Sequence, residues 1–139
     1  MKRFFFYILK ILYSMEEKLE KLHDIKVENF VWIIYIIIIG LSYYANSKEV
    51  KYLLNGDEKS KKDYQNLMIL IFSILLVIYA YFTENSYDDV KKLKPYDSNK
   101  KKILIHASFY GSLLILISGI IFLCIAIVDD EIDTEIAFN

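Results

Sequence analysis

The chain has few of the residues that break helices. It contains one proline, Pro95, and four glycines among its 139 residues. Proline removes a backbone donor and clashes inside a helix, and glycine costs about 1 kcal/mol relative to alanine there. Aromatic residues, by contrast, are abundant, with 12 tyrosines and 9 phenylalanines. The composition therefore predicts an all-α protein with long, uninterrupted helices.

The sequence also lacks the side chains that usually carry chemistry. Cys124 is its only cysteine, and the two histidines, His23 and His106, have no second His or Cys at ligand spacing. No Gly-x-Ser-x-Gly, His-Glu-x-x-His or glycine-rich phosphate loop is present. We therefore predict no enzyme activity, no cofactor and no metal site. We interpret His106 as a structural or interfacial residue, with a place on an ion path as the alternative.

Charged residues are absent from three long runs, and this absence is the most informative feature of the chain. The runs are Asn29–Ser47, Tyr64–Thr83 and Ile103–Val128, with 19, 20 and 26 residues. A helix of about 20 apolar residues crosses a bilayer core. The runs predict three transmembrane helices in an antiparallel helical bundle, placed in a cell membrane. Frequent Ile, Lys, Asn and Tyr are typical of an AT-rich bacterial genome, which favours a bacterial inner membrane.

These runs divide the chain into three predicted parts. Residues 1–28 should form an amphipathic N-terminal helix, residues 29–128 a three-span transmembrane domain, and residues 129–139 an acidic C-terminal tail. Lys10 interrupts the apolar stretch near the N-terminus and no small-x-small cleavage site follows, so we do not interpret it as a signal peptide.

Two short turns should join the spans. Gly56 can take the left-handed conformation that closes a helix, and Asp57 is a good N-cap for the next one. Pro95 should stop that helix, and Asp97 or Ser98 should cap the last.

An apolar stripe with 4-3-4-3 spacing runs along the N-terminal segment. It consists of Ile8, Leu12, Met15, Leu19 and Leu22. Lysines and glutamates occupy the other face. Three interpretations stay open: a helix lying on the membrane surface, a helix packed on a partner helix in an oligomer, and a fourth span.

The distribution of basic residues predicts the topology. Twelve lysines and arginines lie in the N-terminal segment and in the loop at residues 84–102, and five lie in the loop at residues 48–63. Because basic residues stay in the cytoplasm, a three-span chain should have a cytoplasmic N-terminus and an external C-terminus.

Small residues cluster on the last apolar run. They are Ala107, Ser108, Gly111, Ser112, Ser118 and Gly119. Pairs of small residues four apart let helices approach closely in lipid. We consider packing inside one subunit, contact between copies in a homo-oligomer, and the lining of a pore.

Charged clusters flank the same run. An acidic cluster follows it, formed by Asp129, Asp130 and Glu131. These carboxylates form a solvated tail, an acidic ring at a pore mouth, or a docking site for a basic partner. A basic cluster precedes the run, formed by Lys100, Lys101 and Lys102. It should bind anionic lipid headgroups, and a phosphate-bearing ligand is the alternative.

Two functions fit these features best. The first is a homo-oligomeric membrane protein that forms, or conditionally forms, a pore or ion channel, as a small bacterial membrane effector would. The second is a non-catalytic accessory or scaffold subunit bound to another membrane protein in a larger complex. A membrane enzyme or transporter is a third, weaker hypothesis. With a net charge of −1, we expect the bilayer and other membrane helices as partners, and no nucleic acid.

Overall fold

The computed structural model describes residues Met1–Asp129. Within this part of the chain it contains three α-helices and no strand: α1 (Lys2–Asn55), α2 (Glu58–Lys91) and α3 (Asn99–Val128). Each helix is long and apolar enough, by length and composition, to cross a membrane. The predicted all-helical architecture with three apolar helices is therefore confirmed.

Helix α1 differs from the prediction because it does not break between residues 28 and 29. It is 54 residues long. The amphipathic N-terminal segment and the first candidate span are one helix, so the expectation of a separate N-terminal helix was wrong. The physical reason is that no proline or glycine precedes Gly40. The change from charged to uncharged sequence alters the helix's surroundings without interrupting its backbone hydrogen bonds.

The chain divides into two compact units, residues 1–37 and residues from Ile38 onward. In the second unit, α2 carries most of the core. Its buried residues recur at helical spacing: Ser60, Tyr64, Met68, Ile71, Phe72, Leu75, Ile78 and Thr83. By contrast, Gly119 and Ala126 are the buried residues of α3. Helix α2 therefore supplies most of the buried side chains of this unit, and most of α3's apolar surface is left outside the core.

The turn between α1 and α2 has the predicted chemistry. Gly56 has a φ of 65° and donates its N–H to the carbonyl oxygen of Tyr52 at 2.7 Å. Asp57 is the N-cap, and its carboxylate accepts from the Lys59 N–H at 3.2 Å and from the Ser60 hydroxyl at 2.8 Å. The Ser60 hydrogen bond, aided by the Lys59 N–H and by Lys51, lowers the pKa of Asp57.

The second turn is also as predicted, with Ser98 as the cap. Helix α2 ends at Lys91, before Pro95, and Ser98 accepts from the Lys101 N–H at 3.2 Å. Asp97 closes the turn itself, because its carboxylate accepts from the Lys94 N–H at 2.7 Å. That hydrogen bond, together with Lys101, lowers the pKa of Asp97.

Candidate functional site

The antiparallel packing of α2 on α3 determines which residues of α3 remain available for function. Near one end Gln65 lies by Ala126, midway Phe72 stacks on Phe122 with ring centroids 5.7 Å apart, and near the other end Tyr87 contacts Phe109. Residue numbers rise along α2 as they fall along α3. The two helices are thus antiparallel neighbours, as short loops predict.

Of the two glycines of α3, Gly119 is the one that lies against α2. An added β carbon would lie 3.1 Å from Cδ2 of Tyr79 and 3.6 Å from Cδ1 of Leu76. Such a distance is shorter than ordinary van der Waals contact, so no larger side chain fits without movement of Tyr79. Gly119 therefore serves packing inside the subunit, one of the three interpretations of the small-residue cluster.

Ser112 also faces α2, where it takes part in a small polar cluster. The Thr83 hydroxyl lies 3.1 Å from the carbonyl oxygen of Ser112 and 2.8 Å from that of Tyr79. The hydroxyls of Ser86 and Ser112 are 3.2 Å apart. Hydrogen bonds between membrane helices contribute about 0.6 kcal/mol each on average. These contacts hold the α2–α3 pair in register without a charge.

The other small residues of α3 are not used by this packing. Ala107, Ser108 and Gly111 are exposed, and nothing lies within 4 Å of a β carbon placed on Gly111. Ser118 is exposed too. Ala107, Gly111 and Ser118 are separated by four and seven residues, which places them on one side of the helix. We call these four residues, Ala107, Ser108, Gly111 and Ser118, the open face of α3.

The C-terminal end of α3 has an amide donor that the sequence did not reveal. The Gln65 side-chain amide donates to the carbonyl oxygens of Ala126 at 3.3 Å and Ile127 at 3.2 Å. The last four carbonyls of a helix have no intrahelical partner. Gln65 satisfies two of them, at the end where the partial negative charge of the helix meets the carboxylates that follow.

The acidic cluster is described only in part. Asp129 follows the last residue of α3, and its N–H donates to the carbonyl oxygen of Ile125 at 2.8 Å. Asp130 and Glu131 lie outside the described residues. The acidic mouth therefore stays a prediction, with Asp129 placed directly at the helix end.

The three lysines of the basic cluster stand at the N-terminal end of α3. Lys101 pairs with Asp97 at 3.2 Å, and the Lys102 ammonium donates to the carbonyl oxygen of Pro95 at 3.0 Å. Lys100 is exposed. Cations at a helix N-terminus oppose the helix dipole. Asp97, which precedes the first turn, offsets Lys101, and the first turn itself has no acidic residue.

Among the described residues, His106 and Cys124 belong to no cluster of possible metal ligands. A ring nitrogen of His106 lies 2.8 Å from the carbonyl oxygen of Lys102, one turn earlier, and Cys124 is exposed. Between Met1 and Asp129, no group of three or more His, Cys, Asp or Glu side chains is arranged to hold a metal ion.

Comparison of the chain with protein-family models, with curated proteins and with solved structures finds no match.

Sequence reasoning missed the residues of α2 that define the site. Gln65, Thr83 and Ser86 supply the polar contacts to α3, and Tyr79 covers Gly119. A signal for two of them was present, because Gln65 and Thr83 are polar residues within an uncharged run. Such residues in membrane helices tend to hydrogen-bond across to a neighbour.

Proposed function

We propose that this chain spans a cell membrane three times and that its copies assemble into a homo-oligomer that forms, or conditionally forms, a pore. The observation that carries the proposal is the open face of α3. After α2 has taken Ser112 and Gly119, Ala107 and Gly111 remain exposed on an apolar helix. Lipid gives no apolar driving force for covering them, whereas a second helix gains close backbone contact there.

The proposed orientation follows the basic residues. The N-terminus and the α2–α3 turn lie in the cytoplasm, and the α1–α2 turn and C-terminus lie outside. Lys100, Lys101 and Lys102 then meet the anionic leaflet, where each contributes on the order of 1 kcal/mol. Asp129 and the two acidic residues after it surround the outer mouth, where they attract cations.

The open face also supports a second candidate function, because it offers the same close contact to a helix of a different membrane protein. The chain would then be a non-catalytic accessory or scaffold subunit. In that case the isolated protein is monomeric and conducts no ions. The two candidates therefore differ in the mass of the purified chain.

The test is the mass of the purified protein in mild detergent, measured by light scattering. The proposal predicts a homo-oligomer for the wild type and a smaller species for Gly111→Leu, because the leucine separates backbones that must touch. Gly111→Leu leaves the subunit itself intact, since nothing lies within 4 Å of its β carbon. Gly40→Leu is the matched control, an exposed glycine of α1 with equally open surroundings. A monomeric wild-type protein would contradict the proposed homo-oligomer. An oligomer of unchanged mass in Gly111→Leu would show that the open face is not the contact between copies.

A further inference from the structure

We propose that the N-terminal part of α1, from Phe5 to Leu22, forms a parallel coiled coil with the same segment of other copies of this chain. The proposal deepens the proposed function and rests on its self-association, but it does not depend on conduction. Four features of residues 1–37 support it: the heptad spacing, the exposure of the apolar stripe, the continuity of the helix, and the charge on its opposite face.

The apolar stripe follows the two core positions of a heptad. Positions a and d are filled in alternation by Phe5, Ile8, Leu12, Met15, Leu19 and Leu22. All six side chains are between 38% and 64% exposed. Large apolar side chains in a contiguous stripe usually mark an interaction surface. The repeat of 3.5 residues is that of a helix wrapped on another helix.

The positions directly opposite the stripe are charged, and the b and c positions beside them in the first two heptads hold the exposed aromatic residues Phe6, Tyr7 and Tyr13. Lys10, Glu17 and Asp24 occupy successive f positions. These positions point away from the seam, the line of a and d residues along which two helices of a coiled coil meet. The seam ends at Lys26 in an a position and Asn29 in a d position, immediately where the uncharged run begins. Polar residues at core positions fix register and oligomer state at some cost in stability.

The continuity of α1 argues against a helix that lies flat on the membrane. A helix that spans from Asn29 onward would need a sharp bend near Lys26 to place its N-terminal part in the membrane plane. Sharp bends occur at proline, at glycine or serine pairs, or at π-bulges. The structure has unbroken α-helix through this region, without proline or glycine. Residues 2–28 therefore belong to the same unbroken helix as residues 29–37.

A second copy is the occupant that fits this seam best. Copies in one membrane share orientation and depth, because the span that follows Asn29 fixes both. Their seams are then parallel and in register, so Leu12 faces Leu12 and Leu19 faces Leu19 of the neighbour. Tethering in the bilayer also raises the effective concentration, which lets a seam of about 18 residues associate although it would be marginal in solution.

The residues that flank the seam favour a coiled coil of more than two helices. Ile11 and Ile25 occupy g positions and Leu9 an e position, and they widen the apolar surface beyond the a and d stripe. In a dimer these side chains would remain exposed to water. In a higher-order bundle each helix contacts two neighbours, so the wider stripe is covered. The geometry therefore points to three or more copies.

The test is disulfide cross-linking of the full chain in native membranes. Cys124→Ser removes the natural thiol, which is exposed. Leu19→Cys places a thiol in the seam, and Glu17→Cys places one at an f position as the matched control. In a parallel coiled coil, identical a positions meet, so mild oxidation should give a disulfide-linked dimer for Leu19→Cys about tenfold faster than for Glu17→Cys.

Each alternative gives a different cross-linking result. Equal rates at the two positions, or no product at either, overturn the coiled coil. In an antiparallel pair that overlaps the whole seam, Leu19 meets Ile8. A product formed only between Leu19→Cys and Ile8→Cys in a mixture therefore indicates antiparallel pairing and also overturns the parallel coiled coil. If Leu19→Cys fails to cross-link while light scattering still gives an oligomer, the coiled coil fails and the proposed assembly stands. Efficient cross-linking without ionic current leaves the coiled coil standing and overturns the pore.

Discussion

Gly119 of α3 lies directly against the ring of Tyr79 of α2, with only 3.1 Å between Cδ2 of the tyrosine and the position of an added β carbon. Gly111, eight residues earlier on the same helix, has no such neighbour. Two glycines that look alike in the sequence thus have different roles. One permits packing within the subunit, and the other is free for contact outside it.

The contact between Gly119 and Tyr79 predicts that leucine is costly at Gly119 but not at Gly40, a glycine without such a neighbour. Gly119→Leu should lower the free energy of unfolding by about 1–3 kcal/mol, the usual cost of overpacking a tight contact. The measurement is unfolding of the detergent-solubilised protein, monitored by circular dichroism. Gly40→Leu, where nothing lies within 4 Å, should leave stability nearly unchanged. Equal stability for both variants would contradict the contact between Gly119 and Tyr79.

Gln65 should stabilise the C-terminal end of α3. Gln65→Leu keeps a side chain of similar size but removes both hydrogen bonds to the carbonyls of Ala126 and Ile127. We expect faster hydrogen exchange at the last turn of α3 and a loss of about 1 kcal/mol, as for a typical hydrogen bond. Asn66→Leu, an exposed neighbour, is the control. Unchanged exchange in Gln65→Leu would show that the amide does not cap the helix.

The α1–α2 turn, with Asp57, and the α2–α3 turn, with Asp97, should both contribute less to the free energy of unfolding at acidic pH. Asp57 and Asp97 both have a pKa lowered from the ordinary value of 3.8 by hydrogen bonds in the folded turns. A carboxyl with a lower pKa in the folded state stabilises the fold above its unfolded pKa, and this contribution is lost as the pH falls through the folded pKa. Stability should therefore be level above about pH 5 and fall below pH 4.

The comparison for this pH dependence is the double variant Asp57→Asn with Asp97→Asn. Asparagine still accepts a hydrogen bond but does not titrate, so the variant should lose the part of the acid transition that these turns contribute. Thermal unfolding between pH 2.5 and 7 measures it. An acid transition identical to that of the wild type would show that other carboxyls cause it.

Topology should follow the basic residues. In a Cys124→Ser background, a thiol at Lys59→Cys should react with a membrane-impermeant reagent added outside, and one at Asn99→Cys only after permeabilisation. Both positions are exposed, whereas the adjacent Ser60 is buried and unsuitable. Reaction of both thiols from the same side would contradict an α2 that spans the membrane.

Much of the fold could be predicted because its signals are local. Missing charge marks the three apolar stretches, and Gly56, Asp57 and Pro95 mark the turns through their own backbone preferences. The continuity of α1 could not be predicted this way. The sequence becomes uncharged at Asn29, but the residues before and after Asn29 all permit an α-helix, and α1 runs through both. A change of composition was therefore mistaken for an end of the helix.

The site was harder to predict than the fold. The small residues of α3 were recognisable in the sequence. Almost all of the remaining residues after Lys102 are apolar, so the spacing of apolar residues did not reveal which side of α3 faces α2. The choice depends on non-local contacts such as the stacking of Phe72 on Phe122 and the place of Tyr79 over Gly119. Only these contacts separate Ser112 and Gly119 from the open face.

The acidic residues after α3 should control cation entry if the pore forms. Replacing Asp129, Asp130 and Glu131 by Asn or Gln should lower cation conductance, most strongly at low salt. Screening explains the salt dependence, because the Debye length falls from about 10 Å at 0.1 M to about 3 Å at 1 M. The ratio of wild-type to variant conductance at these two salt concentrations is the measurement. A ratio near one at both would remove the acidic residues from the mechanism.

The most direct test of the pore is ionic current from the purified full chain in planar bilayers. A pore with an acidic mouth should give discrete current steps across membranes of several lipid compositions, with cations carrying more current than anions. Gly111→Leu, which should weaken assembly, should make the steps rarer, and Gly40→Leu should not. A wild-type oligomer, verified by mass in the same preparation, that carries no current at any voltage or lipid composition would contradict the pore.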